Sequence, residues 1–228
     1  MKLLTVDNAK TTKGQKKGYL TGILYLAPAK ISGYETCPRR SEGCTLGCLY
    51  SAGMGKFNSV QEARIKKTKF FFEDRQAFLA QLRKDIVALE RKAKRLGLKP
   101  AVRLNGTSDI EWIRFGIIQE FPHIQFYDYT KVLKRLKTTI PSNYQITFSK
   151  NEANDYECGE ALALGYNVAV VFDVKKKQLF PPTWNKYEVV DGDDTDLRFL
   201  DPQGGFVIGL RAKGSAKKDS TGFVVTLN

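Results

Sequence analysis

Three of the chain's four cysteines stand in one short stretch, 37-CPRRSEGCTLGC-48, in the pattern Cys37-x6-Cys44-x3-Cys48. Thiolates are nucleophiles and metal ligands, and Gly33, Gly43, Gly47 and Gly53 give this segment the backbone freedom to bring them to one centre. Structural zinc sites favour paired Cys-x2-4-Cys knuckles or a Cys/His mixture. The single histidine, His123, follows Pro122 at a helix-strand junction and reads as a surface turn residue. Three local thiolates suit an iron-sulfur cluster with one open iron, with zinc as the alternative. Cys158, inside DYECGEALALG, is either a small core residue or a fourth ligand that would close the centre.

A second set of chemically capable residues follows the apolar runs. At and beyond the end of 101-AVRL stand Arg103, Asn105, Ser108 and Asp109; at and beyond the end of 124-IQFYDY, Asp128, Tyr129 and Lys131; after 144-YQITF, Ser149, Asn151 and Glu152. Asp173 and Lys175 follow 167-NVAVVF, and Arg211 and Lys213 follow 206-FVIGL. In parallel sheets the loops beyond the C-terminal strand ends build the site. Asn105, Asp109, Asp128, Lys131, Asn151 and Glu152 are therefore the candidate catalytic groups, the carboxylates as proton donors or acceptors. Arg103, Ser149, Arg211 and Lys213 are candidates for holding a cofactor or phosphate. Singly, Ser149, Asn151, Asp109 and Thr130 also read as helix caps.

The elements that must position these groups are strands at those runs and at 19-YLTGILYLA-27, with helical patterns between most of them. The clearest helix is 77–97, where Phe78, Leu82, Ile86, Leu89, Ala93 and Leu96 keep 3- and 4-residue spacing and Gly97 supplies the stop. Further helices are expected at 110–121, 130–137 and 152–165. Strand-helix alternation over six strands predicts an α/β fold, a partial (βα)6 TIM-like barrel of parallel strands with the cysteine loop after the first. One domain over 1–228 suffices, with 173–205 an irregular insertion before the last main strand.

Composition bounds the setting. The chain has 228 residues, 42% apolar, and a formal charge of +13 from 37 Lys and Arg against 24 Asp and Glu. Such an excess attracts phosphate polyanions, so nucleic acid or a nucleotide is the expected partner. The N-terminal MKLLTVDNAKTTKGQKKGY has no apolar stretch long enough for a signal peptide, and no later run approaches the length of a membrane span. A cytoplasmic protein is expected, where clustered cysteines are metal ligands or catalytic groups more often than disulfides.

The cysteine loop after the first strand of a six-unit strand-helix chain resembles the radical S-adenosylmethionine superfamily. That resemblance implies a partial barrel with Cys37, Cys44 and Cys48 as ligands of an open-iron cluster, and S-adenosylmethionine as a possible cosubstrate. The superfamily's usual spacing is three and then two residues, where this loop has six and three. LYLAPAKISGYETCP, GCTLGCLYSAG, RLNGTSDIEW, YDYTK and FSKNE are together similar to the phage and plasmid "gene product eighty-eight" family, which implies a mobile-element origin, hence host cytoplasm, and names no reaction.

Three functions follow as expectations. The first is an iron-sulfur enzyme acting on nucleic acid or a nucleotide. The second is a metal-stapled binding protein using Lys, Arg and aromatics such as Phe70, Phe71, Phe72 and Trp184 on single strands, although FFF reads equally as a helix entering the core. The third is a divalent-metal nuclease using Asp191, Asp193, Asp194, Asp196 and Asp201, against the simpler reading of an exposed acidic turn.

Overall fold

The computed structural model describes residues 1–6 and 9–227. They form a mixed α/β fold around one nine-stranded sheet. The strands are β1 (Leu4–Thr5), β2 (Tyr19–Leu24), β3 (Lys99–Arg103), β4 (Gln125–Thr130), β5 (Tyr144–Ser149), β6 (Val168–Phe172), β7 (Thr183–Trp184), β8 (Tyr187–Asp191) and β9 (Val207–Arg211). Their spatial order is β1-β2-β3-β4-β5-β6-β9-β8-β7. From β2 to β9 the neighbours run parallel in chain order without the reversal of a doubly wound sheet. All six C-terminal strand ends therefore lie along one edge. The sheet is open, with antiparallel β1 at one end and the β7-β8 hairpin at the other.

One face is covered by helices. In α4 (Arg75–Arg95), Phe78, Leu82, Ile86, Leu89 and Ala93 are buried, the stripe read from the spacing. Asp74 caps its start by accepting from Ala77 N at 3.0 Å, and Gly97 follows it at φ 66°. Helix α3 (Asn58–Glu73), not expected from the pattern, lies before it; Phe71 is buried and packs on Phe78 and Trp112, while Phe70 and Phe72 pack against the same core. Its Lys-rich sequence hides a buried face of only Arg64, Thr68 and Phe71. The short helices α1 (Ala9–Gln15) and α2 (Glu42–Leu46) were likewise unexpected, and α6 (Asp155–Ala163) falls within the expected 152–165.

Two expected helices take other forms. Within 110–121 the chain makes a 3-10 turn, Trp112–Phe115, then α5 (Ile117–Glu120), divided by Gly116 at φ 72°. Over 130–137, Thr130 ends β4 and a 3-10 turn spans Leu133–Lys137, with Arg135 drawn onto the Asp109 carboxylate. The segment expected to be irregular, 173–205, contributes β7 and β8, and β8 adds in parallel to β9. The part after β8 lies on the sheet's second face. Leu197 and Phe199 pack with Tyr19, Ala101 and Tyr127, and Asp196 pairs with buried Arg103 at 2.7 Å.

Candidate metal centre

The cysteine loop leaves β2 and is pinned to the strand-end edge by its neighbours' backbones and side chains. Asp109 N donates to Thr36 O at 2.8 Å, Thr107 Oγ1 donates to Leu26 O at 2.5 Å, and Thr36 Oγ1 donates to Ala27 O at 2.8 Å. These bonds set Cys37, whose Sγ faces Thr107 O at 3.9 Å. From the far side of the sheet, Glu152 accepts from Ser41 Oγ and from Gly43 N, both at 2.6 Å, and Asn151 Nδ2 donates to Arg39 O at 3.3 Å. Ser41 in turn caps α2 by accepting from Cys44 N at 3.2 Å. Burial, the largest influence on Glu152, would raise its carboxyl, but the Ser41 and backbone hydrogen bonds hold it below the usual value. The C-terminal segment closes over α2, where Gly43 and Gly47 meet Phe223 and Ser215 Oγ donates to Leu46 O at 2.6 Å.

The loop thiols Cys37, Cys44 and Cys48 are reduced and half-buried. Burial raises the Cys37 thiol, against hydrogen bonds at Ala29 and Thr36 and with Asp109 adding to the rise; burial pushes the Cys48 thiol up to about 11, against a backbone hydrogen bond at Tyr50. Among the described residues, no group of three or more His, Cys, Asp or Glu side chains that could hold a metal ion is formed. Cys158 stands elsewhere. It is fully buried in the helix-side core, its Sγ lies 3.5 Å from Asn154 Oδ1, and burial pushes its thiol up to about 12. After burial, the strongest influences on it come from Lys150, Asp155, Lys131 and Glu157, not from the loop thiols.

The candidate catalytic residues gather at the strand ends, and most have structural partners there. Asn105 Oδ1 accepts from Ser108 Oγ, Ile110 N and Trp112 Nε1, which ties the whole turn after β3 to one amide. Asp109 is buried, accepts from Thr130 Oγ1 and Lys131 N at 2.9 Å each, and pairs with Arg135. Asp128 accepts from Asn105 N at 2.6 Å and from Tyr144 Oη at 3.0 Å. Burial pushes its carboxyl up to about 7 against the pull of Arg103 and these bonds. Asn151 Oδ1 accepts from Ala153 N, a turn role. Lys131 is the more available group: its Nζ donates to the neutral Ser149 Oγ at 2.6 Å and sits over the Phe223 ring.

Arg211 and Lys213 are engaged by the acidic block. Arg211 pairs with Asp191 at 3.0 Å and Asp193 at 3.2 Å, and Lys213 with Asp193 at 2.6 Å. Asp194 pairs with Lys17, Asp196 with Arg103 and Asp201 with Arg198. All five aspartates of the nuclease reading thus have cationic partners. His123 Nε2, half exposed, meets Glu90 Oε1 at 2.8 Å. The sequence did not single out Ser41 within the cysteine loop, or Tyr25 and Arg64, whose guanidinium lies over the Tyr25 and Tyr50 rings beside it. Arg64 sits in a run of Lys and Arg that reads as a solvated face, so the sequence carried no signal for it.

Parallel strands that deliver a thiol-bearing loop and its polar braces to one edge define an α/β protein with a cysteine site at its strand ends. The chain belongs to the gene product 88 family, whose model matches residues 2–227. Neither curated proteins nor solved structures give a significant match.

Proposed function

We propose that this is an iron-sulfur protein of the phage and mobile-element type. In this reading the open sheet is a partial barrel, Cys37, Cys44 and Cys48 hold a [4Fe-4S] cluster at its mouth, and the partner is nucleic acid or a nucleotide in the host cytoplasm. The observation that carries it is a loop with three half-buried, reduced thiols in the pattern Cys37-x6-Cys44-x3-Cys48, braced at the strand ends by Glu152, Asn151 and the Asp109 turn. Three local thiolates without paired knuckles or a nearby histidine suit a cluster, which binds each cysteine to a different iron, better than a structural zinc ion. Three protein thiolates would leave one iron for a small molecule, with S-adenosylmethionine the candidate cosubstrate, and a bound cluster would supply one-electron chemistry there. The chain's own part is to brace the loop through Glu152, Asn151 and the Asp109 turn, and to present the Lys131 ammonium to a phosphate.

The charge of +13 supports a polyanionic partner in this reading and in a purely binding one. The binding reading is weakened by Phe71, which is buried in the core, and by Phe70, Phe72 and Trp184, which are partly buried against it. The nuclease reading is weakened by the five paired aspartates. The test compares anaerobically reconstituted wild type with Cys44→Ser. The variant is expected to lose the cluster's visible absorption and any turnover of bound nucleic acid or nucleotide; a metal-free Cys44→Ser protein that keeps turnover would contradict the proposal.

A further inference from the structure

The outer face of α4 is strongly basic. Arg91 lies two helical turns after Lys84, and Arg95 one turn after Arg91. That spacing puts the three on one side of the helix, opposite the buried stripe of Phe78, Leu82, Ile86, Leu89 and Ala93. Lys94 stands beside them, and Lys84, Arg91, Lys94 and Arg95 are all exposed. They extend over about 16 Å of helix, and Ala88, Arg91, Lys94 and Arg95 line a shallow depression on it.

The fold does not use these charges. The two carboxylates of α4 are engaged elsewhere: Asp85 accepts from Leu3 N at 2.5 Å and from Leu4 N at 3.1 Å, and Glu90 meets His123 at 2.8 Å. Arg83 pairs with Glu120 at 2.6 Å, whereas among the described residues Lys84, Arg91, Lys94 and Arg95 have no carboxylate partner. The helix dipole accounts for part of the cluster, since a C-terminus carries about half a negative charge. Lys92, Lys94 and Arg95 in the last turn exceed that, and Lys84 and Arg91 lie before it. The neighbouring edge adds to the excess: Lys99 opens β3 and its N donates to Gly18 O at 2.9 Å, which brings the turn bearing exposed Lys16 to the same place. Because α4 lies on the crossover between parallel β2 and β3, its end sits where β3 begins, at the edge away from the cysteine loop.

We infer that the outer face of α4 is a docking surface for the phosphate backbone of duplex nucleic acid, on the opposite edge of the sheet from the candidate chemistry. The inference rests on the nucleic-acid partner of the reading above and not on what the cysteine loop holds. Unpaired Lys and Arg neutralise phosphates and release their counterions, a contribution that needs no contact with a base. A single strand is held by rings on which its bases stack, and residues 79–99 contain no aromatic side chain. Exposed Ala77, Ala80 and Ala88 on the same face leave room for a stiff backbone to approach between the cations. The duplex is therefore held through its phosphates, without sequence preference.

The experiment is fluorescence anisotropy with a short duplex DNA of random sequence, across about 50 to 200 mM salt. The triple variant Arg91→Gln/Lys94→Gln/Arg95→Gln is expected to bind at least tenfold more weakly at the low end. Its log-log salt slope is expected to shrink by about 2.7, from three lost phosphate contacts. Glutamine keeps the helix propensity of Lys and Arg, and equal urea midpoints check the fold. Lys134→Gln/Lys176→Gln/Lys177→Gln removes the same charge from exposed lysines beyond the C-terminal ends of β4 and β6, and is expected to stay within twofold of wild type. Arg91→Lys/Arg95→Lys, which keeps the charge, is expected to stay within threefold. If the second triple lost as much as the first, or the first lost nothing, the inference would be overturned and the nucleic-acid partner would stand. A tenfold preference for single-stranded DNA would overturn it too, as would an α4 triple that lost binding to phosphatidylserine vesicles while keeping the duplex. A wild type that binds no duplex at low salt would remove the nucleic-acid partner itself. Should the α4 triple fail to fold, Arg91→Gln alone decides the matter, with an expected slope change of about 0.9.

Discussion

Glu152 reaches from beyond β5 to hold the start of the helix that carries Cys44, and it does so with two short charge-assisted hydrogen bonds. Bonds to a charged group contribute about 1.5–3 kcal/mol each when shielded and less when water competes. Glu152 is only partly buried, so Glu152→Ala is expected to cost about 1–2 kcal/mol in urea unfolding. It should also speed loss of iron to a chelator severalfold; unchanged iron retention would show that the brace does not serve the loop. A second residue-scale expectation concerns pH. Asp128 is held at about 7 and Asp201 at about 6, above an ordinary carboxyl near ~3.9. Each binds its proton more tightly folded than unfolded, so its stabilisation is complete below about pH 4 and is lost as pH rises through the folded value. For Asp128 the loss is about 1.4 kcal/mol per pH unit across that window. Asp128→Asn should therefore narrow the stability gap between pH 5 and pH 8, and unfolding midpoints that track wild type at both pH values would contradict this. At this scale the sequence revealed which residues gather but not what they do. Asn105, Asp109 and Asn151 read as candidate reactive groups, the last two also as caps, and their partners, such as Trp112 Nε1 and Arg135, were not legible because they reach them only through the folded loops.

At the scale of elements, the strands were legible because buried parallel strands are short apolar runs bounded by turn residues. Helix α4 was legible for its stripe, while 110–121 and 130–137 misled because apolar spacing continued through Gly116 and through Thr130 at the end of β4. The acidic block was the hardest to place. Its charges look solvated in sequence, yet Asp196 descends onto Arg103 inside the fold. Removing one partner of a buried pair typically costs about 3–5 kcal/mol, so Asp196→Ala should lower stability in that range, and a loss under about 1 kcal/mol would mean that the segment does not seal the second face. The C-terminal segment makes a comparable seal over α2. A Cβ on Gly43 would overlap Thr221 Oγ1 and lie 2.7 Å from Phe223 Cβ. Gly43→Ala should accordingly raise amide hydrogen exchange at 219–225 at least tenfold, and unchanged protection there would show that the segment is held by its other contacts.

The whole molecule is a basic α/β protein with its candidate chemistry along one edge of an open sheet, and no helix among the described residues is long and apolar enough to cross a membrane. The excess of 37 basic over 24 acidic side chains predicts nucleic-acid affinity that falls steeply and linearly in log-log form with salt; binding indifferent to salt between 50 and 200 mM would remove polyanions from consideration. Charge alone does not choose between enzyme and binding protein, and what the cysteine loop binds is the property that would separate them. The most direct measurement is the iron, sulfide and zinc content of anaerobically purified protein, with EPR spectra before and after S-adenosylmethionine. The account predicts about four irons and four sulfides per chain, with a spectral change on adding the cosubstrate. One zinc and no iron would contradict it and reduce Cys37, Cys44 and Cys48 to a structural staple.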